Sequence, residues 1–190
     1  MMKAKLILAV AATLLVSGVC AQPRPQSAPA GKVLVVYYSH SGNTRAMARR
    51  IARVSGGELF EIVPATPYPS DHRLLVGQAK REIEAGARPA LKSRVGDMSQ
   101  YGVVFIGSPC WWSTVAPPVA SFLASCDLSG KTVVPFMTHG GSGMGRSEAD
   151  IRRLCPRSHV ADGLSVRGSL VDGSMDTVGT WTRACLESGF

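Results

Sequence analysis

From Val33 to Tyr38 the chain is apolar without a break, the signature of a strand buried on both faces. Small polar residues take over at once, at Ser39, Ser41, Gly42, Asn43 and Thr44. The period then changes. Ala46, Met47 and Ile51 fall on one side and Arg45, Arg49, Arg50 and Arg53 on the other, as in an amphipathic helix. The same succession repeats along the chain. Glu58 to Val63 predicts a second strand, and the turn-rich Thr66–Asp71 leads into a helix reaching Ala87. Val103 to Ile106 predicts a third strand, followed by a helix from Pro117 to Ser125 with both prolines in its first turn. Lys131 to Met137 is a fourth strand, and a helix from Gly143 to Leu154 follows it. Leu164 to Arg167 is a short fifth strand and Met175 to Glu187 the last helix. Five such units imply an α/β fold: a single doubly wound five-stranded parallel sheet, order 2-1-3-4-5, with helices on both faces. In such sheets ligands bind beyond the carboxyl ends of the strands, beside strand 1.

The first 31 residues stand outside this pattern. Residues 1–21 read as a secretion signal, with Lys3 and Lys5 as its charged start and Leu6 to Val16 as its apolar run. That run is too short to span a bilayer comfortably, and no other segment is a membrane span once it is removed. Val19-Cys20-Ala21 offers small residues at a cleavage site; lipidation of Cys20 is the second reading. Residues 22–31, rich in Pro, Ala and Gln, read as a flexible tether, which leaves residues 32–190 as one domain.

Charge changes the picture little. The net charge is +8, and losing Lys3 and Lys5 would lower it by two. The arginines are scattered without interleaved aromatics, so the pattern is that of solvated helix faces and not of a nucleic-acid surface. Cys110, Cys126, Cys155 and Cys185 remain after cleavage, with no Cys-x-x-Cys and no metal-like spacing. Cys126 and Cys155 end the helices after strands 3 and 4, which places them within reach of a disulfide in an oxidising compartment.

The strand, polar loop and helix start at 33–45 form an anion cradle. The first helical N–H groups lack partners, and the helix dipole adds a partial positive charge. Ser39, Ser41 and Thr44 add hydroxyls. The loop has no lysine, against a P-loop, and a single glycine, against a dinucleotide fingerprint. A monoester phosphate held by neutral donors fits; a plain helix cap by Asn43 or Thr44 is the other reading. Ser39-His40-Ser41-Gly42-Asn43-Thr44 resembles the FMN phosphate loop of the flavodoxin family, Ser/Thr-x-Ser/Thr-Gly-x-Thr, at every fixed position.

Two further loops extend the likeness. Gly107 is followed by Ser108-Pro109-Cys110-Trp111-Trp112, where two adjacent indoles cannot share one core layer, so one faces a cleft. Thr138-His139-Gly140-Gly141-Ser142 lets backbone approach a flat ligand closely. Both resemble the loops flanking the flavin ring in a flavodoxin subgroup carrying Pro-x-Trp-Trp and Thr-His-Gly-Gly, and the likeness runs from Lys32 to about Ser169. It implies FMN as the cofactor, held by residues 39–44, 108–112 and 138–142, with no catalytic side chain and no metal. Cys110 reads as an inert thiol, since no activating partner stands beside it in the pattern.

The expected function is electron transfer by an exported, FMN-binding protein, periplasmic or secreted. Its counterpart is a redox partner protein or a small planar acceptor. A basic chain argues for an acidic or membrane-associated partner, where carriers of this family are usually acidic. An FMN-dependent NAD(P)H:quinone-type reductase is the second reading, and a phosphate-binding module without redox role the third. Pro109 removes an N–H donor beside the ring, which predicts two-electron more than one-electron behaviour.

Overall fold

The computed structural model describes residues 31–187. The expected signal, the tether up to residue 30 and the last three residues lie outside them. The elements run β1 (Lys32–Tyr37), α1 (Asn43–Ser55), β2 (Glu58–Glu61), α2 (His72–Glu84), β3 (Tyr101–Trp111), β4 (Thr114–Val115), α3 (Pro117–Ser125), β5 (Thr132–His139), α4 (Ser147–Leu154), β6 (His159–Val160), β7 (Leu164–Arg167) and α5 (Met175–Glu187). The sheet order is β2-β1-β3-β5-β6, with β7 also parallel to β5. This is the expected doubly wound order.

Alternation along the strands divides the interior in two. Leu34 and Val36 of β1 join Val119 and Phe122 of α3 and Ile151 of α4 in one core. Val35 and Tyr37 turn the other way, onto Met47 and Ile51 of α1 and Val178 of α5. A strand apolar at every position is therefore what a sheet covered on both faces requires.

The sheet departs from the five-strand expectation in two places. The fifth strand is split. β6 pairs with Thr132 and Val133, and β7 pairs with Phe136 to His139. The intervening backbone passes so near Pro135 that a Cβ on Gly163 would lie 2.6 Å from its carbonyl oxygen. The third strand is also longer than its apolar run. It continues through Ser108, Pro109 and Cys110 to Trp111 and folds back into β4, where Cys110 pairs with Val115 and Trp111 with Thr114. The expected loop at 108–111 is therefore strand, because the antiparallel return satisfies its backbone. Helix α4 starts four residues later than expected, since Gly143 (φ 60°) and Gly145 (φ 57°) hold left-handed conformations that a helix cannot continue through.

All four cysteines among the described residues are free. Cys126 and Cys155 do meet, at the ends of α3 and α4, but as thiols lining a small cavity of about 180 Å³ and not as the expected disulfide. Burial pushes the Cys155 thiol up to about 11. Among the described residues no helix is long and apolar enough to cross a membrane.

Candidate functional site

A cavity of about 730 Å³ opens at the carboxyl ends of β1, β3, β5 and β7. Its floor comes from the polar loop after β1. Gly42 precedes α1 in a left-handed conformation (φ 97°), and no side chain caps the helix. Neither Asn43 nor Thr44 acts as the simple cap that the loop also allowed. The first N–H groups of α1 are left for a ligand. No protein atom lies within 4 Å of where a Cβ on Gly42 would stand, so the space above the loop is open. Arg45, the nearest permanent cation in sequence, is turned away: its guanidinium meets Glu61 at 2.5 Å, and Tyr37 donates to the same carboxylate. The cradle is therefore built of neutral donors and a helix end.

The loop is tied down from two sides. The amide of Gly42 donates to Ser39 Oγ at 3.1 Å. The hydroxyls of Thr44 and Thr138, both buried, lie 2.8 Å apart and join the start of α1 to β5. His40, Ser41 and Asn43 line the cavity itself, whereas Ser39, Gly42 and Thr44 support it from beneath.

The indoles form a second wall, with Trp111 in ring contact with His40 of the loop. Trp111 is half-buried against the core and Trp112 is 47% exposed, as two neighbours on a strand end must divide. Trp112 and Ser113 form the two-residue tip of the β3–β4 hairpin with φ 49° and 61°. Such tips favour glycine and asparagine, so a tryptophan there is held against its backbone preference. What holds it is α2: the indole Nε1 donates to Val76 O at 3.1 Å, and Lys80 Nζ lies 5.3 Å from the ring centroid. Cys110, Thr138, His139, Gly140 and Ser142 complete the expected lining. Ser108 and Pro109 do not face the cavity. Ser108 is fully buried, donating to Pro109 O and accepting from the Ala116 amide, which pins the hairpin base. Gly141 sits outside the lining as well.

Sequence reasoning missed one wall and one corner. His72, Leu75, Val76 and Ala79 of α2 close the cavity beside Trp112, and Arg167, Gly168 and Ser169 close it after β7. The rule that ligands sit beyond strand ends could have found the second group, since Arg167 pairs with His139 across the sheet. Nothing in the α2 sequence marks it as a wall. No carboxylate lines the cavity, which is bordered by His40, His72, His139 and Arg167. The Arg167 guanidinium makes no ion pair or side-chain hydrogen bond among the described residues. His139 Nδ1 is buried without a hydrogen-bond partner among the described residues.

Behind Trp111 lies a packed aromatic group. Its ring centroid is 5.1 Å from Tyr68, 5.6 Å from Tyr38 and 6.1 Å from His40. Tyr68 donates to Glu82, and burial together with that carboxylate keeps its phenol protonated far above the ordinary range. Burial does the same for Tyr38. A partly aromatic cavity bordered by an uncapped helix start fits a planar ligand with an anionic tail.

No curated relative matches the chain. Solved structures do. A provisionally classed flavoprotein from Bacteroides uniformis is 32% identical, with a TM-score of 0.72 over 80% of this chain and 98% of that one. A second, from Bacteroides eggerthii, is 33% identical (TM-score 0.66, 77% and 97% covered). A flavoprotein from Lactobacillus acidophilus, solved in complex with FMN, is 26% identical (TM-score 0.64, 76% and 98% covered). Residues 32–184 match the flavodoxin profile, and the chain belongs to the flavodoxin family.

Proposed function

We propose that this chain binds FMN in the cavity between the 39–44 loop and the tryptophans, and that it transfers electrons outside the cytoplasm. The observation that carries the reading is the uncapped, left-handed start of α1 facing an open cavity rimmed by indoles. The FMN complex of the Lactobacillus acidophilus flavoprotein supports the choice of ligand. When bound, FMN supplies the reversible uptake of electrons and protons. The chain supplies the rest. N–H groups at the start of α1, with the Ser41 hydroxyl, hold the phosphate. Trp111 and Trp112 give the ring apolar surfaces and shut out water. Gly140 admits the backbone close to it. The β3–β4 pairing fixes the backbone at Cys110 and Trp111, and Pro109 has no N–H to offer. A rigid frame of that kind does not readjust after a single electron, so a potentiometric titration gives one two-electron wave.

The charged start and apolar run of residues 1–21, read as a secretion signal, favour export, and the basic chain favours an acidic or membrane-associated partner, by charge complementarity. A small planar acceptor, as in a quinone-type reductase, is favoured by one feature: the α2 wall puts apolar Leu75, Val76 and Ala79 beside Trp112. Incubating the purified protein with FMN tests the cofactor. Visible flavin bands with quenched fluorescence are expected, and a protein that stays colourless overturns the reading. NAD(P)H oxidation with a quinone then separates reductase from carrier.

A further inference from the structure

Trp111 is the one pocket residue in ring contact with two tyrosines, and only one of these has a base at its hydroxyl. Tyr68 lies 5.1 Å from the indole, edge-on, and donates its O–H to Glu82. Gln78 Nε2 holds the other carboxylate oxygen at 2.7 Å, so the acceptor is fixed in place. Tyr38 is nearly as close to Trp111, at 5.6 Å, but its hydroxyl has no hydrogen-bond partner among the described residues. Tyr37 and Tyr101 also donate to carboxylates, Glu61 and Glu58, yet neither ring touches a pocket tryptophan.

We propose that Trp111, Tyr68 and Glu82 form a proton-coupled electron relay that draws an oxidising equivalent out of the cavity and lodges it on Tyr68. A small inorganic radical oxidant of the azide-radical class, reaching the cavity, takes one electron from the Trp111 indole and leaves as its anion. Tyr68 returns one electron to that indole, and its O–H proton passes along the existing hydrogen bond to the Glu82 carboxylate. The oxidant ends one electron reduced and Trp111 is restored. Tyr68 remains as a neutral phenoxyl radical and Glu82 as a carboxylic acid, so charge balances at every centre. Proton and electron must leave together because the phenol is buried, protonated and raised in pKa. The relay ends on Tyr68, which does not line the cavity.

The test uses pulse radiolysis of the full chain with azide radical as oxidant, so it does not depend on FMN. A Trp181→Phe background removes the indole that packs on Phe105, on the other side of the sheet. The expected result is an indolyl absorption that decays as a phenoxyl band rises. Tyr68→Phe abolishes most of the phenoxyl yield and prolongs the indolyl signal. Glu82→Gln slows phenoxyl formation by roughly tenfold, the rate equivalent of weakening one hydrogen bond to a charged group. Tyr38→Phe leaves both signals as they were. Circular dichroism verifies that each variant is folded, and a solvent deuterium effect on phenoxyl formation in the parent chain gives a second readout needing no variant at Glu82. An unchanged phenoxyl yield in Tyr68→Phe, its loss in Tyr38→Phe, or the absence of both a Glu82→Gln effect and a deuterium effect overturns the relay.

Discussion

Thr44 and Thr138 show how much of the site depends on single hydroxyls. Each is buried, each finds its partner 2.8 Å away in the other, and the pair ties the cradle to β5. Replacing either by valine strands the remaining hydroxyl and costs about 1–3 kcal/mol. The double replacement costs less than the sum, and a double-mutant cycle by urea denaturation measures the coupling. Gly42 carries a different burden. At φ 97° an alanine is strained by about 1–2 kcal/mol although no protein atom is in its way. Gly42→Ala therefore lowers stability modestly and weakens FMN binding further, which fluorescence titration detects. At this scale the sequence was legible where residue type and position coincide, as in residues 39–44. It was silent on which hydroxyls face inward. Ser108 and Thr44 read as ligand donors, but the backbone around them turns their oxygens toward Ala116 and Thr138.

The β3–β4 hairpin is the element that the sequence concealed. Pro109 and the two tryptophans suggested a loop, but β4 is two residues long and leaves almost no pattern of its own. Its tip places Trp112 and Ser113 at positive φ, and Ser113 O accepts from the Arg146 amide at 2.7 Å. Ser113→Gly relieves strain without touching that bond. A gain of about 0.5–1 kcal/mol is expected, read as a higher Tm with an unchanged flavin spectrum. Gly145→Ala has the opposite effect. Its Cβ would stand 2.4 Å from Ser113 O, a clash with backbone that costs several kcal/mol and loosens the hairpin from α4. Helix α2 was legible as a helix from its periodicity, with Leu75 and Ala79 inward. Its role as a wall arises from tertiary placement against Trp112, which no local pattern encodes.

For the molecule as a whole, the strand order and the two covered faces were legible because strands alternate with helices and β1 and β3 carry unbroken apolar runs, as a parallel sheet buried on both faces requires. The split fifth strand was not, since it follows from a close passage of Gly163 by Pro135. Burial raises the thiols of Cys155 and Cys185 to about 11, above their value of 9.0 in an exposed chain. Between these values the unfolded chain releases protons that the folded one retains, so stability is full below about pH 9 and falls as pH rises toward 11. Thermal scans across that window check the sign, and both thiols alkylate slowly at neutral pH. Strand β3 runs without interruption from the centre of the sheet, where Phe105 is wholly inaccessible, to the indoles at the cavity rim. Ligand-binding segments in most proteins open locally at little cost, but here the rim is the direct continuation of the sheet's central strand, closed by its return into β4. In hydrogen–deuterium exchange the amides of Cys110 and Trp111 should therefore share the slow protection of the interior, and the mouth should come apart only when the molecule does.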